Sequence, residues 1–209
     1  MLYPINFIRQ IPIEIPVKMI LMRLGYRNKT TEMSISQRVK VSSLIDDGFA
    51  YCNAAGCFRR IEIMDRNEDH IILEDGCVLK SKSLADLLHK SSAIVLMAST
   101  VGADIVRAAS DAVARNDGAT AVIYDAVGGQ SADTSMTWIN DFIRRQLGRT
   151  MEKLTSQRYS PGFGDLSLEN QKIIYELLEL EKLGLSLTLR YMLVPEKSVT
   201  AIAGIEKID

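Results

Sequence analysis

The sequence holds few residues suited to acid–base or metal chemistry. Its 209 residues include two histidines and three cysteines. His70 and His89 leave little choice of general base, and no Ser/His/Asp set is legible. Cys52 and Cys57 are separated by four residues, which is neither a C-x-x-C pair nor a zinc knuckle, and Cys77 is distant. No metal site and no catalytic side chain is expected, and the thiols read as structural. The odd cysteine count points to a reducing, cytoplasmic setting. Charge of one sign is missing as well: 25 basic residues stand against 26 acidic ones, a net charge of −1. That balance excludes nucleic acid or an anionic membrane as the main partner. Long apolar runs are absent. Lys18 and Arg23 interrupt the apolar N-terminal region, so no stretch reaches the ~20 residues of a membrane span. Residues 1–10 lack the basic start and clean apolar run of a signal peptide.

What is present is enough apolar content for a core, 47% of the residues. The length fits one domain, 1–209, with residues 1–48 as an N-terminal arm and helices packed on it. Prolines and alternating apolar residues predict an extended arm over 5–15. A helix is expected from Pro16 to about Leu24, and a second from Ser34 or Ser36 until Gly48 stops it. Residues 49–64 alternate around Ala54-Ala55-Gly56 and suggest a hairpin. Short strands are expected at 70–73 and 76–79, with Glu74-Asp75 solvated between them. Ser83 should cap a short helix to about Lys90. The unbroken apolar run 93–99 reads as a buried strand. Helices follow over 103–115 and 117–147, the second weakened at Gly128-Gly129. An amphipathic helix is expected over 168–183, with Gly184 as its C-cap. Helices and short strands alternate without regular βαβ repetition. The fold class is therefore α+β, a twisted, mainly antiparallel sheet with flanking helices.

Two segments near the C-terminus carry the most specific pattern. The first is Arg158-Tyr159-Ser160-Pro161-Gly162-Phe163-Gly164-Asp165. Pro161 locks its own φ, and Gly162 and Gly164 permit positive φ. Glycines on both sides of an aromatic let a flat ligand approach the main chain. Arg158 offers a planar fork suited to a carboxylate or phosphate. Unaided, a Pro-Gly segment more often means a tight surface turn. The second segment is Met192-Leu193-Val194-Pro195-Glu196-Lys197-Ser198-Val199-Thr200-Ala201-Ile202. It reads as two short strands joined at 195–197, a wall that backs the loop.

Together these segments, R-x-S-P-G-[FY]-G-D and then x-P-x-x-S-V-x-A-I-x-G, resemble the activation domain of cobalamin-dependent methionine synthase. The resemblance is strongest over 150–205, with weaker echoes at 98–102 and 125–128. It implies that the loop binds S-adenosylmethionine. Arg158 would meet the carboxylate, the main chain near Ser160 and Gly162 the adenine or amino-acid part, and Phe163 the sulfonium or the corrin. Asp165 would receive the ammonium or N-cap the next helix, and Pro195 and Ser198 would support the wall. Phe163 stands where the family often has tyrosine. Nothing in the chain resembles the methyltetrahydrofolate, homocysteine or cobalamin modules. The resemblance therefore implies a free-standing reactivation module. Its partner would be a cobalamin-binding methionine synthase chain or another corrinoid protein, with flavodoxin or ferredoxin as electron donor. An accessory module of another corrinoid methyltransferase system is the alternative. A third reading, a phosphate cradle at Ser99-Thr100-Val101-Gly102, lacks both the G-x-G-x-x-G spacing and a G-K-[ST] ending.

Overall fold

The computed structural model describes residues 3–27 and 31–208. The proline-punctuated start is extended, and Asn6–Ile8 forms a short strand, β1. Pro16 precedes helix α1, Val17–Arg23. Ser34 opens α2, Ile35–Phe49, through a capping box: its hydroxyl accepts from the Gln37 N–H, and the Gln37 side chain accepts from the Ser34 N–H. There follow β2 (Ala55–Arg66), β3 (His70–Leu73), β4 (Val78–Lys80), α3 (Lys82–Leu87), β5 (Ala93–Thr100) and α4 (Asp104–Ala114). Helix α5, Gly118–Leu147, starts at Asp117, whose side chain accepts from the Thr120 N–H. The last part holds β6 (Glu152–Leu154), α6 (Asn170–Leu177), a 3-10 turn (Leu180–Leu183), β7 (Ser186–Leu187), β8 (Leu193–Val194) and β9 (Ser198–Lys207).

The strands form a curled antiparallel sheet in the order β4-β3-β2-β5-β9-β6, with β1 paired to the start of β2 at residues 56–58. Central β5 is buried along its length, paired with β2 from Ala55↔Thr100 and with β9 from Ala93↔Ile205. Side chains alternate across a strand, so its apolar run feeds two cores. Ile94, Leu96 and Ala98 join Leu84 and Leu88 of the α3 region and Ile174 and Leu178 of the α6 region. Ala93, Val95 and Met97 join Met136, Ile139 and Ile143 of α5. A third cluster gathers Ile20, Ile45, Ile105 and Val127 where α1, α2, α4 and α5 meet. Each such buried aliphatic contributes ~1.5–3 kcal/mol. Of the N-terminal region 1–48, residues 1–2 and 28–30 lie outside the described residues, and Ile11, Ile20 and Ile45 are core.

Several expectations need correction. The hairpin over 49–64 does not exist. Gly48 lies inside α2, and β2 is one continuous twelve-residue strand. Gly48 is there for contact: a Cβ would stand 2.8 Å from Tyr124 Cδ1 of α5. Likewise α5 runs unbroken through Gly128-Gly129. A Cβ at Gly128 would meet Lys197 Cγ at 3.0 Å and Ile105 at 3.2 Å. The cap of α3 is Ser81, whose hydroxyl accepts from the Leu84 N–H, rather than Ser83. The amphipathic stretch 168–183 breaks at Glu179, which takes a left-handed φ of 49° between α6 and the 3-10 turn. Finally, β8 and β9 do not pair with each other. β8 pairs with β7 in a separate two-stranded sheet, while β9 lies between β5 and β6.

Candidate functional site

The loop of interest leaves β6 already tied to β9. The Thr155 N–H donates to the Gly204 carbonyl at 2.9 Å, and its hydroxyl accepts from the Gly204 N–H at 3.0 Å. Tyr159 and Ile202 then exchange backbone bonds in both directions, at 2.8 and 2.7 Å. Ser160-Pro161-Gly162-Phe163 forms a tight turn. The Phe163 N–H donates to the Ser160 carbonyl at 3.1 Å, and Gly162 has φ of 89°. Proline second and a positive-φ glycine third are what a type II turn asks for. The Gly162 N–H donates to the Leu166 carbonyl at 2.8 Å, and the Ser160 hydroxyl to the Thr200 carbonyl at 2.7 Å. Gly164, with φ of 52°, leaves room for the Tyr159 hydroxyl, which a Cβ there would meet at 2.1 Å.

Asp165 does not cap the helix that follows the loop. Its carboxylate docks on the start of α3. There it accepts from the Ser81 hydroxyl and the Lys82 N–H, both at 2.6 Å, and from the Ser83 N–H at 3.3 Å. These donors, with the positive end of a helix, hold its pKa down from 3.8 to about 2, the Ser81 hydroxyl first among them. The helix after the loop, α6, is preceded instead by Glu169, which makes no side-chain cap.

Two groups of the loop remain unspent. The Phe163 ring is 68% exposed. Arg158 is exposed, and no hydrogen bond or ion pair reaches its guanidinium among the described residues. Partial burial of its guanidinium lowers its pKa, against the pull of Asp133 and Asp141 of α5. Desolvation raises the Asp133 carboxyl, against the pull of Arg23 and Arg158. Asp125, Gly129 and Asp133 recur every four residues along α5, so they share one face. The Arg23 guanidinium lies over Gly129, and Lys197 is ion-paired with Asp125. This acidic stripe went unread in the sequence, although its spacing was visible there.

A second feature lies on the α6 side. Ser160, Phe163, Leu168, Gln171, Tyr191 and Ser198 are among the residues around an open depression of about 200 Å³. Ser198 Oγ donates to the Pro195 carbonyl at 2.7 Å and lies 2.8 Å from the Thr100 hydroxyl. A cis peptide bond links Val194 to Pro195. The structure thus brings Ser160, Phe163 and Ser198 together, with Pro195 and Gly162 adjoining. Arg158 stands outside the depression, and Asp165 is turned away to α3. Gln171, on the first turn of α6, had no sequence signal at all.

The Thr100–Gly102 turn is closed to ligands. Thr100 and Val101 are buried, the Val101 N–H donates to the Lys197 carbonyl at 3.1 Å, and the Gly102 N–H to Thr100 Oγ1 at 3.1 Å. Burial pushes the Cys57 thiol up to about 12, which leaves it inert. Among the described residues no helix is long and apolar enough to cross a membrane.

No protein-family model matches this chain, and no curated protein matches it. Among solved structures, it is similar to the crystal structure of the MetH reactivation domain bound to AdoHcy. The TM-score is 0.68 at 16% identity, over 97% of this chain and 78% of that one. A likeness at that identity shows the fold, and the fold is shared: mixed helices and strands around a curled antiparallel sheet.

Proposed function

We propose that this chain binds S-adenosylmethionine and supports reductive methylation of a corrinoid held by a partner. The role is that of the reactivation domain of cobalamin-dependent methionine synthase. One observation carries the reading. The loop 158–165 spends its Ser160 hydroxyl, its Gly162 and Phe163 N–H groups and its Asp165 carboxylate on its own anchoring, and leaves free a cation and an aromatic ring. A loop built this way displays Arg158 and Phe163. The shared fold supports the same reading.

These groups fit the ligand. An unpaired guanidinium suits a carboxylate, through a charge-assisted pair that is often bidentate. An exposed ring suits a sulfonium or a corrin edge. When bound, S-adenosylmethionine supplies a methyl group activated by its sulfonium. The chain's residues bind and orient: Arg158 holds the amino-acid end, Phe163 covers the sulfonium or meets the corrin, and Ser160, Gly162, Pro195 and Ser198 shape the wall. Asp165 acts at one remove, by fixing the loop to α3. No acid or base is required. A partner's corrinoid, reduced by flavodoxin or ferredoxin, would be the methyl acceptor, and Arg158 and Phe163 would hold the donor toward it. The domain contributes orientation and exclusion of water. In this reading 1–209 acts as one unit, with 1–48 packed on it, in the cytoplasm. Its partner is a cobalamin-binding methionine synthase chain or another corrinoid protein.

Calorimetric titration with S-adenosylmethionine tests the reading. Wild type should bind, and Arg158→Ala should lose roughly 1.5–3 kcal/mol of binding. Equal binding by the variant would remove Arg158 as carboxylate partner. A mixture of the chain, a cob(II)alamin protein, a low-potential reductant and S-adenosylmethionine should form methylcobalamin faster than the mixture without the chain. No acceleration would leave a binding role only.

A further inference from the structure

Gln171 is 4% exposed, and it lies among the residues of the depression beside Phe163. Its Oε1 accepts from the Thr200 hydroxyl at 2.9 Å, while its Nε2 has no partner among the described residues. With Oε1 matched to the Thr200 hydroxyl, the amide leaves one orphan, the buried Nε2 donor. Buried polar groups are nearly always matched, and an unmatched one is costly where a methionine of similar size would avoid it. A donor kept there is accounted for by an acceptor that arrives with a ligand.

The depression limits what that ligand part can be. At about 200 Å³ it falls below the ~300–1,000 Å³ of whole small-molecule pockets. Phe163, Leu168, Tyr191 and Met192 give it apolar lining, and Ser160, Glu196 and Ser198 are its polar members beside Gln171. A mostly apolar lining with a few polar groups suits a flat ring with an acceptor on its edge. Arg158 lies outside, so the charged end of the ligand lies outside as well. Nε2 is covered in this structure. The exposed rim side chains Phe163 and Met192, at 68% and 54%, are free to give way.

We propose that this depression seats the purine base of the bound nucleoside, and that Gln171 Nε2 recognises one of its ring nitrogens. The identity of the ring rests on the S-adenosylmethionine reading. The assignment of Gln171 as a specificity residue, aligned by Thr200, goes beyond it.

Nitrogen-15 NMR of the full chain resolves side-chain amides, and the Gln171 pair is identified by its loss in Gln171→Glu. Adenosine, S-adenosylhomocysteine and the 1-, 3- and 7-deaza forms of the latter are titrated in turn. The Gln171 pair should shift with adenosine and with S-adenosylhomocysteine. One deaza form should bind wild type ~10-fold more weakly than its parent, as loss of one hydrogen bond predicts. In Gln171→Glu, or in Gln171→Met should the carboxylate impair folding, that form and its parent should bind alike. If S-adenosylhomocysteine binds while the pair stays still, or the deaza discrimination survives in the variants, this inference is wrong and the methyl-donor reading stands. If adenosine moves the pair but neither S-adenosylhomocysteine nor S-adenosylmethionine binds, the methyl-donor reading fails and the purine site stands. If no ligand binds, both fall.

Discussion

Gly204 and Gly162 belong to the two matched segments, yet opposite forces hold them. Gly204 lies on β9, where a Cβ would stand 2.1 Å from Ser91 Oγ, 2.6 Å from Leu88 Cδ2 and 2.8 Å from Thr155 Cγ2. Its neighbours demand glycine. Gly162 has open space, since the nearest atom to a Cβ would be Leu168 Cδ1 at an ordinary 3.5 Å. Its φ of 89° demands glycine instead. The strand half of the pattern is architecture, fixed by packing between β9, α3 and the entry to the loop. The loop half is a displayed conformation that the core barely touches. A letter shared within one motif can thus report two unrelated constraints, and only one of them bears on a ligand.

The largest effect should come from Gly204→Ala. A methyl group cannot enter without moving β9 away from Ser91 and from Thr155, whose N–H and hydroxyl bond Gly204 and close the base of the loop. Overpacking of this kind should cost about 3 kcal/mol, read as a lower midpoint in urea unfolding. A loss below ~1 kcal/mol, within reach of simple relaxation, would erase the distinction between the two glycines.

Gly162→Ala should cost less, ~1–2 kcal/mol for one residue forced into left-handed backbone. The loss should stay local. Amide shifts should move in 159–168 and stay in place along β5. Its larger consequence should be on ligand titration, because Phe163 and Arg158 would be displayed at the wrong angle. Shifts that spread through β5 would show the loop to be coupled to the core, and the comparison would fail.

The same division explains what could be read from the chain alone. The buried strand was legible because eight residues, Ala93–Thr100, are apolar or small without a charge. The long helix was legible from its length and from Asp117 as its cap. Glycines misled. Gly128 looked like a break inside α5 and is none, and Gly48, one residue before the end of α2, marks that end but is there for contact; each makes room for a residue distant in sequence, Lys197 and Tyr124. Local rules cannot name such a partner. The turn at 160–163 was legible because its signal is local: proline, then glycine. Asp165 was half legible. A carboxylate that caps a helix is a fair expectation, but that helix lies 84 residues back from it, at Ser81. Gln171 was beyond reach, because an unmatched donor is defined by what fails to surround it.

The smallest effect concerns that anchor, and it sharpens the comparison by loosening the loop while sparing the sheet. The Asp165 carboxylate is held at about 2 in the folded chain against an ordinary 3.8, chiefly by the Ser81 hydroxyl and by the N–H groups of Lys82 and Ser83. A depressed carboxyl binds its proton less readily folded than unfolded. Its contribution is therefore complete above ~pH 4 and is lost as the pH falls through 2. Wild type should be more stable than Asp165→Asn at pH 7 by an amount that holds down to ~pH 4 and closes on further acidification. Urea unfolding of both proteins at pH 7, 4 and 2.5 measures it. The difference should be modest, since the carboxylate is exposed to water. Amides of Lys82 and Ser83 should titrate with it, while those of Leu96 and Ile202 should not. A gap that stayed constant, or widened, on acidification would mean that the carboxylate charge does not tie the loop to α3, and that the display of Phe163 depends on the turn alone.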